Sequence, residues 1–160
     1  MLIKRNFKIL LLIAAFGVSS LAIAETPPVS GFYATVNTGF GPDFRIMGDV
    51  DLGYKINNFF ATEVGAAAFS TIGGRGDNYL FDAAAKGIMP LSNGLDLFAK
   101  LGLAEAHTVG QYRAVLYTAA GIGYDFTTNV TVTLQGMLTN KSDDVPSMRA
   151  GTIGLTYYFN

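Results

Sequence analysis

The sequence predicts an all-β chain: an eight-stranded antiparallel up-and-down transmembrane β-barrel. Three observations predict it. Segments of about ten residues alternate apolar and polar side chains with a period of two, as strands with one face in lipid must. Charged residues make up only 14%, while the chain holds 19 Gly, 12 Phe and 8 Tyr. That is too little charge for an ordinary soluble surface, where about a quarter is usual. After the N-terminal region, no run approaches the ~20 apolar residues of a spanning helix, so entry into a membrane has to use strands.

Residues 1–24 read as a cleavable export signal. Lys4, Arg5 and Lys8 form a basic start, and Ile9 to Val18 an apolar stretch broken at Gly17. Ala22-Ile23-Ala24 has the small-x-small form of a signal-peptidase site, with Ala22 and Ala24 as the small residues and cleavage after Ala24. Residues 25–30, with Pro27-Pro28, read as a flexible lead-in. Residues 31–160 form the barrel domain.

Strands are expected near Gly31–Phe40, Phe44–Lys55, Phe60–Phe69, Tyr79–Met89, Leu95–Ala104, Tyr112–Tyr124, Val130–Thr139 and Met148–Phe159. Alternation is clearest in the second, where Phe44, Ile46, Gly48, Val50, Leu52 and Tyr54 oppose Arg45, Met47, Asp49, Asp51, Gly53 and Lys55. A helix would scatter those charges around its circumference. Alternation is weakest at Ala66-Ala67-Ala68 and Ala83-Ala84-Ala85, which in isolation suit a helix equally well. Asn57-Asn58, Ser92-Asn93-Gly94 and Thr127-Thr128-Asn129 mark compact turns. Ser70–Asn78 and Asn140–Ser147 are longer, and the connection at Gly41-Pro42-Asp43 is short. Short turns on one side and longer loops on the other are the barrel asymmetry, with the loops outside.

The balance of charge excludes some functions. Lys+Arg 11 against Asp+Glu 12 leaves no basic excess for nucleic acid. Without Cys there is no disulfide framework or thiolate metal site, and no cofactor is expected.

Three stretches carry a resemblance to a known family: Gly53-Tyr54-Lys55-Ile56-Asn57-Asn58-Phe59 into Glu63-Val64-Gly65; Ala85–Leu91 followed by Leu95–Gly102; and Gly154-Leu155-Thr156-Tyr157-Tyr158-Phe159. In this order they resemble the transmembrane domain of the OmpA family of outer-membrane proteins. The resemblance implies that Gly154, Tyr157 and Phe159 belong to the signal read by the barrel-assembly machinery, although Asn160 follows the last aromatic. It also implies that Glu63 and Lys86 match members of an interior salt-bridge network. The family's arginine falls here at Thr133 and its second glutamate at Gly123. Larger members carry a peptidoglycan-binding domain after the eighth strand, and that role is not expected for this sequence.

Strand parity points Arg45, Asp49, Asp51, Lys55, Glu63, Asp82, Lys86, Asp96, Lys100 and Arg113 inward. An eight-stranded barrel is filled by side chains, and buried charges demand partners. Glu63, Lys86, Lys100, Asp49, Asp51 and Arg45 are the expected network. Either Glu63 pairs with Lys86, or Lys86 and Lys100 share it. An ion-paired plug is the expectation preferred to a working gate.

Other polar groups carry less. His107 is the lone histidine, with no Ser two positions on to complete a lipid-deacylating set, and reads as a solvated surface residue. Asp143-Asp144 offers hard oxygen ligands, but adjacent loop carboxylates are usually just solvated. Arg75-Gly76-Asp77 is a three-residue adhesion-type match in a Gly-rich turn, for which turn chemistry is the simpler account.

The expected function is a structural or surface role in the cell envelope, with a weak small-solute channel as a variant. An adhesin acting through its outer loops is the alternative. A lipid A-modifying enzyme and a soluble lipocalin-like binder, with apolar residues inside and charge outside, stand behind it. The expected partners are outer-membrane lipid and lipopolysaccharide, with the assembly machinery during biogenesis. A host-surface partner has only the Arg-Gly-Asp tripeptide in its favour.

Overall fold

The computed structural model describes residues 27–41, 45–70, 78–108, 111–140 and 147–159. Eight strands follow one another: β1 (Gly31–Phe40), β2 (Ile46–Lys55), β3 (Phe60–Ser70), β4 (Asn78–Pro90), β5 (Leu95–Thr108), β6 (Gln111–Asp125), β7 (Val130–Thr139) and β8 (Arg149–Tyr158). Each pairs antiparallel with its sequence neighbours, and β8 returns to β1, closing the barrel. No strand edge is left unpaired, which is what a sheet in lipid requires.

The register fixes the shape. From Gly31, the partners run Lys55, Ala61, Lys86, Lys100, Ala119, Met137 and Ala150, and the circuit re-enters β1 level with Gly41, ten residues on (41 − 31). With eight strands, that stagger corresponds to a strand tilt of about 43° and a radius of about 8 Å. Such a radius leaves room for side chains and no open lumen.

Apolar side chains face out. Phe32, Val36, Leu52, Val64, Phe81, Leu101, Leu103, Leu134 and Ile153 are all exposed. Among the described strand residues, the outward parity carries a charge only at Glu105 and Arg149. From Leu95 to Leu103, β5 shows lipid-compatible side chains over roughly 20 Å of barrel height. This is the reverse of the polarity a lipocalin-like binder needs, so that alternative is set aside.

Both alanine runs are strand. Ala67 and Ala84 point inward and are buried, while Ala66, Ala68, Ala83 and Ala85 point out. Alanine has no strong preference against a strand whose two neighbours supply the ladder.

The two rims differ. The turn end holds the β2–β3, β4–β5 and β6–β7 connections. Asn57 Oδ1 accepts the backbone N–H groups of Phe59 and Phe60. Asn93 and Gly94 have φ of 60° and 74°, the paired positive values of a type I′ turn, which matches strand twist. Thr127 Oγ1 accepts the N–H groups of Asn129 and Val130. The loop end holds the other connections. There β5 runs four residues past the expected end at Ala104, to Thr108, and β6 begins at Gln111. The hairpin is taller and its connection shorter than the sequence suggested. Phe44, expected to open β2, lies outside the described residues.

Candidate functional site

The polar interior is the candidate site, and its centre is Glu63. In the register, Lys86 lies directly opposite Lys100 on neighbouring strands. Like charges so placed repel. Glu63, from β3, resolves the conflict: Oε1 accepts Lys86 Nζ at 3.1 Å, and Oε2 pairs with Lys100 Nζ. Lys100 also donates to Asp51 Oδ2 at 3.0 Å. Tyr33, on β1, donates its hydroxyl to Glu63 Oε1 at 2.6 Å. All five side chains are buried. Of the two arrangements open from sequence, the structure has the shared one. Lys86 also lies over the rings of Phe98 (4.6 Å) and Tyr33 (5.3 Å), so its uncommitted faces meet aromatic quadrupoles rather than water.

Steric room for this lattice comes from glycine. A Cβ on Gly53 would overlap the Tyr33 ring, and one on Gly154 would overlap the Asn37 amide. The Gly154 position is thus set by packing against the interior, while Tyr157 and Phe159 of the same segment point outward and stack edge-on, with ring centroids 5.3 Å apart.

The remaining predicted residues divide. Asp49 is buried, but its partner is the amide of Asn37, at 3.1 Å, instead of a cation. Arg45 corrects the expectation: it is half-buried at the loop-end start of β2, and no described carboxylate lies within ion-pair distance of it. It stands one inward position beyond Met47 of the loop-end cluster and two beyond Asp49, too high to reach the carboxylates at mid-height. Arg113, at the same rim, is exposed and donates to the Tyr112 carbonyl. Thr133, standing where the resembling family has arginine, donates to Asn37 Oδ1 at 3.5 Å. Across β7, β8 and β1, the interior is neutral and polar, as in the Thr35–Thr156 hydroxyl pair at 2.8 Å.

Sequence reasoning missed how the interior ends. At the loop end, Met47, Phe69, Leu80, Val115, Tyr117, Met148 and Ala106 form one buried apolar cluster. Met47 and Leu80 are 0% exposed. The signal was available: Met47, Phe69 and Leu80 fall on the inward parity, where a purely polar lumen would not put them. At the turn end, the interior opens instead into a cavity of about 180 Å³, lined by Lys55, Asp96, Asp125 and Tyr158 together with Pro27, Ile88 and Leu95.

His107 is not a free surface residue. It pairs with Tyr112 in the β5–β6 ladder, and its ring stacks between Tyr112 (4.3 Å) and Tyr79 (6.2 Å). Arg75-Gly76-Asp77, Asp143-Asp144, Ala22 and Ala24 lie outside the described residues.

No family model matches the chain, and no curated protein matches it. Solved structures do. The N-terminal β-barrel domain of Pseudomonas aeruginosa OprF aligns with a TM-score of 0.68 at 13% identity, covering 81% of this chain and 99% of that one. Neisserial surface protein A aligns at 0.55 with 22% identity, covering 81% and 98%. Ail, the attachment invasion locus protein of Yersinia pestis, solved in complex with the heparin analogue sucrose octasulfate, aligns at 0.54 with 17% identity, covering 81% and 97%. At these identities the likeness shows the fold, that of small outer-membrane barrels.

Proposed function

We propose that this chain is an outer-membrane barrel of the OmpA-like type whose role in the envelope is structural, with the loop end outside and the turn end in the periplasm. The apolar outward band, bounded at the loop end by Glu105 and Arg149, carries the reading, because such a surface is stable only in lipid. Its partners are outer-membrane lipid and lipopolysaccharide, and the assembly machinery that reads Gly154, Tyr157 and Phe159. Within this reading, the small-solute channel variant is disfavoured. A solute crossing the barrel has to pass both the lysine–carboxylate lattice and the buried loop-end cluster of Met47, Phe69, Leu80 and Val115.

Two measurements test the proposal. The protein from the outer-membrane fraction should migrate differently on detergent gels before and after boiling. Purified protein in planar bilayers should give no steady conductance. A soluble periplasmic protein without a heat-dependent shift would overturn the membrane reading, and a reproducible conductance would overturn the closed-plug reading. The competing adhesin reading draws on the loop-end connections and on the heparin-analogue complex of Ail. It predicts that a strain lacking this protein loses attachment to host cells while its envelope stays intact.

A further inference from the structure

The turn-end cavity gathers charges that do not satisfy one another. Lys55 stands on β2, Asp96 on β5 and Asp125 on β6. In a ring of eight strands β2 and β6 are four apart, so the ammonium and the Asp125 carboxylate come from opposite walls. Gly123 is the partner of Asp96 across the β5–β6 ladder, and a Cβ there would overlap the Asp96 carboxylate. That carboxylate therefore leans toward β6 and stands on the same side as Asp125. Lys55 and Asp125 are each only 7% exposed, yet no ion pair joins any two of the three. Asp125 accepts the Thr131 hydroxyl at 2.7 Å. The Lys55 ammonium has no hydrogen-bond acceptor among the described residues and meets the Tyr158 ring, 5.5 Å from its centre. An ammonium so placed keeps a desolvation cost that a partner would offset.

An anion brought to Lys55 would face two carboxylates, and a cation brought to the carboxylates would face Lys55. A ligand that carries both signs meets neither penalty. Size narrows the class. The cavity measures about 180 Å³, and one of about 150 Å³ takes benzene, so about six heavy atoms fit. Beyond the charges the wall is apolar, from Pro27, Ile88 and Leu95. We propose that the turn-end mouth binds a small zwitterionic α-amino acid of alanine's size. Asp96 and Asp125 receive its ammonium, Lys55 its carboxylate, and the apolar wall its methyl group. The second carboxylate is not surplus, because an ammonium has three N–H groups to donate. Supply of the ligand from the periplasm rests on the orientation given under the proposed function; binding itself does not.

The test is a titration of the isotope-labelled protein, folded in detergent micelles, with alanine, read from its backbone amide NMR shifts. Saturable shifts are expected around Lys55, Asp96 and Asp125. Ethylamine and propionate each carry one of the two charges and should bind at least about tenfold more weakly. Phenylalanine, too large for the cavity, should give no saturable shift at these residues. Lys55→Met and Asp125→Asn should each weaken alanine binding by about tenfold while the heat-dependent gel shift persists. If either variant does not fold, Asp96→Asn carries the same expectation. Four outcomes overturn the site and leave the barrel reading intact: no saturation with alanine below about 100 mM, equal binding of a single-charge analogue, equal binding of phenylalanine, or alanine binding unchanged in the folded variants. Absence of the gel shift in the unsubstituted protein overturns the barrel reading, on separate grounds.

Discussion

The two halves of the barrel interior solve the same problem in opposite ways. Toward the loop end, inward positions are filled by Met47, Phe69, Leu80, Val115 and Met148, which need only to pack. At mid-height the inward positions hold Glu63, Asp51, Lys86 and Lys100, which need partners in fixed places. The apolar cap tolerates a shift of a few tenths of an ångström. The ionic lattice does not, because a buried charge that loses its partner retains its desolvation cost. The difference teaches that burial alone does not make these layers equivalent: one is stabilised by area, the other by geometry.

The strongest way to break the comparison is at Glu63. Glu63→Ala leaves two buried ammonium groups opposed and should cost about 3–5 kcal/mol, read as a lowered urea midpoint in detergent micelles or vesicles. Glu63→Ala combined with Lys86→Met should recover much of that loss, since Lys86 is the ammonium left without a carboxylate while Lys100 keeps Asp51 at 3.0 Å. If the single and double variants are equally unstable, the lattice is not the source of the sensitivity. Leu80→Ala in the cap should cost about 2–5 kcal/mol through a cavity, with no rescue by a second substitution in the lattice. The exterior sharpens the contrast. Leu101→Arg, at the middle of the lipid-facing band, should cost about 2–4 kcal/mol, whereas Phe81→Arg near the loop end should cost less. Equal costs would mean that the band does not lie where the outward charges bound it. The smallest effect is expected at the His107 stack. His107→Ala removes two ring contacts and should cost about 0.5–1.5 kcal/mol, visible as faster amide exchange confined to the β5–β6 hairpin.

Period-two alternation made much of this legible in the sequence. Parity placed Asp49, Asp51, Lys55, Glu63, Lys86 and Lys100 inside, where they are buried, and the same parity holds through both alanine runs. What parity does not carry is height. Lys86 and Lys100 meet Glu63 because three strands are staggered by the closure of the whole barrel, a quantity no local segment encodes. Arg45 has the right parity and the wrong height. The β5–β6 hairpin failed for a related reason. Glu105 and His107 look like loop residues, but above the lipid band an outward strand position faces water, and polarity no longer marks a strand's end. The cap was missed because an inward Met or Leu, read one at a time, looks like an ordinary strand residue. Only the register gathers them at one rim.

The opposition of Lys86 and Lys100 has a consequence for how the molecule comes together. Alone, the hairpin of β4 and β5 brings two ammonium groups face to face, and in a medium of low dielectric that repulsion opposes its insertion. The acid that relieves it belongs to β3, the strand before. The hairpin therefore gains its full stability only after β3 has docked beside it, and a two-residue slip between β3 and β4 would carry Glu63 away from the lysines. The three residues act as a proofreading step, in which correct strand pairing is what discharges the fault.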